Sequence, residues 1–320
     1  MSWLLDQLGS LLLLVLLLIV VMALLAPFET LGWWAGWSPR DLEHDPPQPA
    51  EPAAPDHAEQ PPHAFVVYLT GVGGFSGAAL RESEARFVES LAARLPRAAV
   101  IRDVFPYSVN NNPLDGHRVM STFWRWLQQN RLKMPNSIFD LPVILHNVMQ
   151  VGVSSDPRYG PVYNLGVARE VVQSLMRHGY ATGAATEITL VGYSGGAQIS
   201  IAIARYLTNT LRASVRVISL GGVFSSDPAL TYVDHIYHFE GQRDPMPRLG
   251  VVLYPGRWPV MATSAWNAVK RKGRVTTIRR GLIAHFGAMD YFSESATLPD
   301  GRTHLEQTVE HVAAIVESSP

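Results

Sequence analysis

The chain has 320 residues, 47% of them hydrophobic and 17% charged, enough to bury one large core or two small ones. Its formal net charge of −1 gives no field that would gather a polyanion, and no nucleic-acid partner is expected. The absence of cysteine excludes disulfides, thiolate metal sites and a cysteine nucleophile.

Residues 11–26 form a nearly unbroken apolar run closed by Pro27. With Leu8 and Gly9 it approaches the ~20 residues that an α-helix needs to cross a bilayer, and it has no polar face to turn toward solvent. Trp3 on one side and Trp33, Trp34 and Trp37 on the other fit interfacial aromatic belts. No basic residue precedes the run and Pro27 follows Ala26, so an uncleaved anchor is expected rather than a signal peptide. Arg40 is the nearby basic residue, and it leaves the orientation open. Residues 1–40 are therefore read as a single-pass membrane anchor. Residues 41–63, rich in Pro, Ala and acidic side chains, are read as a disordered spacer carrying His44, His57 and His63 in solvent.

From residue 64 to the end, short apolar runs alternate with helical patterns. Ala64–Leu69 reads as a strand leading into Thr70-Gly71-Val72-Gly73-Gly74. A helix is predicted over Gly77–Leu95, with Leu80, Phe87, Leu91 and Leu95 on one face, and a strand over Ala98–Phe105. A long excursion, about residues 110–161, contains apolar helical stretches at Ser121–Leu127 and at Ser137–Val151, the latter broken by Pro142. It is read as a helical cap over the C-terminal edge of the sheet. A helix over Leu165–His178 stops at Gly179. Strands follow at Glu187–Tyr193, Val215–Leu220, His235–Phe239 and Arg274–Ile278, with a helix over Ala197–Tyr206 between the first two. This alternation predicts an α/β fold, a mainly parallel sheet with helices on both faces, behind one transmembrane helix.

Gly192-Tyr193-Ser194-Gly195-Gly196 is a weak signal as a bare pentapeptide. Its setting strengthens it, because a strand precedes it and a helix follows, the context of a nucleophile turn. A serine hydroxyl needs a base to take its proton and a carboxylate to orient that base. Asp244 lies on the turn beyond the strand starting at His235, and His285 lies on the loop after the last strand. Ser194, Asp244 and His285 thus fall in the order Ser…Asp…His. Asp227 is the alternative acid, with Asp234 and Asp290 behind it. Among the other histidines, His235 and His238 lie within a strand, His304 and His311 on a C-terminal helix with a solvated face expected, and His117 and His146 in the cap. Backbone N–H groups for a developing oxyanion are expected from Gly195 and from Val72, with Gly73 next to it. The Gly71–Gly74 loop lacks the lysine of a phosphate-binding loop.

The glycine loop after the first strand, the GYSGG turn, the Arg243-Asp244-Pro245 turn and the Ala284-His285-Phe286-Gly287 loop together resemble the α/β-hydrolase superfamily, from about residue 64 to the C-terminus without the cap. Many esterases of that superfamily carry His-Gly where this chain has Thr70-Gly71. The resemblance implies the fold, a Ser-His-Asp triad and a two-step acyl transfer that needs no cofactor or metal. The expected substrate is a carboxylic ester. An acyl lipid is suggested by the tether, by Phe123, Trp124, Trp126 and Leu127 in the cap, and by the basic residues Lys270, Arg271, Lys272, Arg274, Arg279 and Arg280. The same triad serves amidases, thioesterases and acyltransferases, and the other alternative is an inactive binding or scaffold protein at the membrane.

Overall fold

The computed structural model describes residues 62–318 apart from 78, 117–120, 135–137, 184 and 185, together with residues 7, 9, 10, 13, 17, 21, 27, 28 and 30–35. The predicted anchor over 11–26 and spacer over 41–63 fall almost wholly outside these residues, as do His117, His44 and His57. Among the described residues, no helix is long and apolar enough to cross a membrane.

Six parallel strands form one sheet: β1 (Ala64–Leu69), β2 (Ala98–Ile101), β3 (Glu187–Tyr193), β4 (Val215–Leu220), β5 (His235–Arg243) and β6 (Val275–Ala284), in the spatial order β2-β1-β3-β4-β5-β6. Every residue of β1 and β4 is buried; β1 reads as a continuous apolar run, whereas β4 carries Arg216 and Ser219 among its apolar residues. One face is covered by α1 (Glu82–Arg94) and α8 (His304–Glu317). The other packs against α4 (Gly160–Arg177), α5 (Gly196–Leu211) and α7 (Ala265–Arg271), while the short α6 (Met246–Leu253) follows β5. Each fully buried Val, Leu or Ile in these layers contributes roughly 1.5–3 kcal/mol relative to exposure.

Between β2 and α4 lie α2 (Ser121–Lys133) and α3 (Leu141–Ser155). Trp124, Leu127, Val143 and Val151 from these helices join Phe75, Phe105 and Tyr107 in a third apolar cluster with Val72 against it, so they pack on the loop that follows β1.

Several element boundaries differ from the sequence reading, each for a local reason. Pro142 does not break a helix but sits in the first turn of α3, where its missing N–H has no intrahelical partner to lose. Pro161 sits in the first turn of α4 in the same way, and that helix starts at Gly160, five residues before the predicted start at Leu165. The first helix begins at Glu82 rather than Gly77. A Cβ on Gly77 would stand 2.6 Å from the Asp103 carbonyl, so this glycine lies tight against the segment after β2. β2 ends at Ile101 rather than Phe105 because the Asn111 side chain accepts from the Phe105 N–H (2.6 Å) and donates to the Asp103 carbonyl (2.9 Å). β5 and β6 run past their predicted ends, to Arg243 and Ala284.

His238 in β5 is buried, with Nδ1 at 3.0 Å from the Ser219 hydroxyl. Burial, and then the positive charge of Arg257, push its pKa down to about 3. The unfolded chain, with a histidine near 6.5, therefore binds the proton more readily between about pH 6.5 and 3, and stability is lost as pH falls through that window. His238→Gln keeps a hydrogen-bonding side chain beside Ser219 without the titration. It is expected to remove about 3 kcal/mol of the stability difference between pH 7 and pH 4. Urea unfolding at both pH values measures this, and an undiminished pH dependence would count against the assignment.

Candidate active site

The sheet register brings the candidate residues to one edge. Leu69 pairs with Gly192 and Tyr193 with Leu220, so the chain leaves β1, β3 and β4 at the same level. The strand order reverses at β1, and the glycine loop and the Ser194 turn flank that crevice. On the far side, a bulge between Gly241 and Arg243 resets the β5–β6 register so that Arg243 pairs with Ala284. The next residue on each strand is then Asp244 and His285, side by side.

Ser194 has φ 52, the left-handed region that a non-glycine residue enters only under constraint. Its N–H donates to the Leu220 carbonyl (3.0 Å) and its own carbonyl accepts from Ala197 and Val223 (3.2 Å each), which hold the turn. The flanking glycines are sterically required. A Cβ on Gly192 would lie 2.6 Å from the Ala197 backbone, and one on Gly196 would lie 2.4 Å from the Leu69 carbonyl oxygen.

The Ser194 hydroxyl stands 2.9 Å from His285 Nε2, to which it donates, and His285 Nδ1 stands 2.9 Å from Asp244 Oδ2. The carboxylate partner places the histidine proton on Nδ1. Asp244 Oδ2 also accepts from the Tyr291 hydroxyl (2.9 Å), while Oδ1 accepts from the Met246 N–H (2.8 Å). The same Tyr291 oxygen accepts from the Gly241 N–H (2.8 Å), so the phenol is fixed from both sides. Burial, then the Asp244 charge, hold the Tyr291 pKa far above its ordinary value and keep it a donor. Tyr193 stacks on the His285 ring at 5.1 Å and 18° and donates to the His285 carbonyl (2.5 Å). All three polar residues are buried, with Ser194 5%, His285 1% and Asp244 3% exposed, so this relay is shielded from water.

Among the described backbone hydrogen bonds, none uses the N–H of Val72 or Gly195. A Cβ on Gly195 would lie 2.7 Å from Val72 Cγ1 and 2.8 Å from Val151 Cγ2, so the two predicted donors sit on adjoining turns with α3 over them. The loop carrying Val72 is secured by groups that sequence reasoning missed. The carbonyls of Val72 and Gly74 both accept from Asn147 Nδ2 (2.8 Å), the Gly73 carbonyl accepts from Arg131 (2.9 Å), and the Thr70 carbonyl accepts from Tyr107 (2.8 Å). Beneath it the buried Glu84 accepts from Thr70 (2.5 Å) and Tyr68 (2.7 Å). Burial raises the Glu84 pKa, and those hydrogen bonds oppose the rise. Glu84 shares its helix face with Phe87, Val88 and Leu91, and an acid on an apolar stripe was the available signal.

The other candidates lie elsewhere. Asp227 caps a short turn by accepting from the Ala229 N–H (2.8 Å) and meets Gln198 at 3.5 Å. Asp234 accepts from Ser214 (2.5 Å), Asp290 accepts from the Phe292 N–H (3.0 Å), His235 meets Thr276 (2.8 Å), and His146 lies edge-on to Trp124. His304 is not on a solvated face. It is 2% exposed at the start of α8, with Nδ1 against the Asp290 carbonyl (3.1 Å). His311 is half-buried beside Arg280. The basic residues do not form one solvent-facing patch. Arg280 is buried over Phe239, and Arg274 donates to the carbonyls of Thr231, Val233 and Asp234. Phe123 and Trp126 are exposed on α2, whereas Trp124 and Leu127 turn inward. A cavity of about 380 Å³ lies along α5, bounded by Asn164, Arg205, Asp227 and Tyr254, and Ser194, Asp244 and His285 do not line it. Among the described residues, no group of three or more His, Cys, Asp or Glu could hold a metal ion.

No family model and no curated protein matches the chain. Among solved structures it is similar to the monoclinic form of an esterase from Pyrobaculum calidifontis, at 13% identity and a TM-score of 0.41, over 81% of this chain and 78% of that one. A second structure, described as a hyperthermophilic esterase from the same archaeon, is similar at 13% identity and a TM-score of 0.40, with the same coverage of both chains. Both likenesses are too distant to carry a function, which rests on the site's own geometry. The six-stranded, all-parallel sheet with helices on both faces is the α/β fold that the sequence predicts.

Proposed function

We propose that this protein is a serine hydrolase that cleaves a carboxylic ester through an acyl-enzyme, held at a membrane by its N-terminal apolar run. The observation that carries the reading is the continuous chain from the Ser194 hydroxyl through His285 to Asp244, each link 2.9 Å. In the first step Ser194 Oγ attacks the ester carbonyl carbon as its proton passes to His285 Nε2. Asp244 stabilises the imidazolium and stays ionised. The N–H groups of Val72 and Gly195 receive the oxyanion, and His285 then gives its proton to the departing alkoxide. Water, deprotonated by the same histidine, attacks the acyl carbon and releases the acid and the free serine. No metal or organic cofactor enters these steps.

Substrate access involves Val151, which lies over Gly195, and Phe286, whose exposed ring meets His285 edge-on at 4.4 Å. An acyl chain entering there meets apolar surface, which favours a lipid or other long-chain ester.

A fluorophosphonate probe tests the chemistry. The full-length protein is expected to label at one serine, and Ser194→Ala to lose the label while remaining folded by circular dichroism. A folded wild type that does not label would leave an inactive, binding role as the better account. Hydrolysis of short- and long-chain esters, with and without liposomes, then tests the substrate, and indifference to both chain length and liposomes would count against a lipid.

A further inference from the structure

Trp33 belongs, by sequence, to an aromatic belt expected at a membrane interface. The structure instead packs it against the larger core cluster of the folded domain, with the Arg169 guanidinium carbon 5.8 Å from its ring centroid. Arg169 lies in the middle of α4, on the flank away from α1 and α8. Residues 30–34 are helical and two-sided. Thr30 and Gly32 are buried and Trp33 is half-buried, whereas Trp34 is 66% exposed. Beside this contact, Arg169 also borders a depression of about 220 Å³ with Leu165, Val172 and Tyr206, so the flank has an apolar surface on which a tryptophan can rest.

The contact matters because of what lies between it and the core. Residues 36–61 are 26 in number, and a segment of that length spans about 85 Å fully extended and about 28 Å as a flexible coil. On such a tether alone, the sheet edge carrying Ser194 would take any orientation to the N-terminal segment. A contact through Trp33 would attach the core at one face, whatever path residues 36–61 take.

We propose that residues 30–35 clamp onto the α4 flank through Trp33 and Arg169, so that the folded core is held at that face beside the N-terminal apolar run. Only the consequence for the membrane rests on the anchor reading, since the clamp itself is a contact within the chain.

The chain's lack of cysteine makes the test direct. Trp34→Cys paired with Gln173→Cys, both exposed and next to the contact residues, is treated with a short bismaleimide in the full-length protein in native membranes. The control pair is Trp34→Cys with Glu89→Cys, which lies on α1 across the sheet. Intramolecular cross-linking of the flank pair is expected to exceed the control about tenfold, as a raised local concentration requires. It should fall toward the control when Trp33→Ala or Arg169→Ala is added. Equal yields from the two pairs, or a flank yield indifferent to both alanine substitutions, would overturn the clamp. Alkaline extraction of the same membranes reads the anchor separately. A chain that is released yet still cross-links at the flank refutes the anchor and keeps the clamp.

Discussion

Asp244→Asn is expected to lower kcat on an activated ester about 10⁴-fold, while Asp227→Asn leaves it within about twofold. The two carboxylates are separated by what they hold. Asp244 Oδ2 faces His285 Nδ1 at 2.9 Å and takes a second hydrogen bond from Tyr291, so this oxygen both selects the histidine tautomer and meets the imidazolium that forms. An asparagine with its oxygen in the place of Oδ2 keeps the Tyr291 bond but turns no charge toward the ring and sets its NH₂ against the Met246 N–H. One that turns its NH₂ toward Nδ1 forces the proton onto Nε2, where it blocks acceptance from Ser194. Asp227, by contrast, caps a turn through the Ala229 N–H, and asparagine caps as well as aspartate does. Steady-state kinetics and the rate of fluorophosphonate labelling on both variants, each checked for folding, decide the matter. Equal losses, or a loss only at Asp227, would remove Asp244 from the triad.

The layered fold was legible because its central strands are buried on both faces and so are mostly apolar, although β3 carries Thr189 and β4 carries Arg216 and Ser219. β3 and β4 were bounded correctly from Glu187, Tyr193, Val215 and Leu220 alone. The ends of β5 and β6 were not. β6 is an edge strand whose residues Thr276, Thr277, Arg279, Leu282 and others face solvent, and its charged run Arg279-Arg280 reads as a loop. The sequence reading therefore left Asp244 and His285 several residues beyond their strands. The pairing of Arg243 with Ala284 that sets them side by side depends on a bulge, which has no sequence signature here.

The groups that support the site were harder still to read. Tyr291 sits in Met289-Asp290-Tyr291-Phe292, where nothing local separates a phenol bonded to a carboxylate from a packed aromatic. Asn147 and Arg131 lie in the excursion between β2 and α4, and only tertiary packing brings them to the carbonyls of Val72, Gly73 and Gly74. Glu84 offered a signal, an acid in line with Phe87, Val88 and Leu91, because a charge on an apolar stripe needs partners when buried. His304 misled in the opposite direction. Its position at the first turn of a surface helix suggested solvent, but the loop through Asp290 closes over it.

Gly221→Ala is expected to cost about 2–5 kcal/mol of stability and to lower kcat of the folded fraction by at least about 10²-fold, although Gly221 takes no part in the chemistry. Gly221 follows β4 with φ 55, and its N–H donates to the Phe239 carbonyl (3.1 Å), which fixes the backbone there. A Cβ at this position would stand 2.4 Å from Asp244 Oδ2, 2.9 Å from His285 Nδ1 and 2.9 Å from Tyr291 Cε2. It would therefore wedge into the junction where the acid, the base and the supporting phenol meet. Either the backbone retreats or Asp244 and His285 part, and a displacement near 1 Å in such an arrangement costs about two orders of magnitude in rate. Gly179→Ala separates the two causes. Gly179 has φ 87 at the end of α4, but a Cβ there meets nothing within 4 Å. That variant should carry the left-handed backbone penalty of about 1–2 kcal/mol with kcat unchanged. Thermal unfolding and active-site titration of both variants distinguish the outcomes. A Gly221→Ala protein that turns over normally per labelled serine would mean that Asp244 and His285 do not need the geometry seen here. If Gly179→Ala lost as much rate as Gly221→Ala, backbone strain rather than collision with the triad would be the cause.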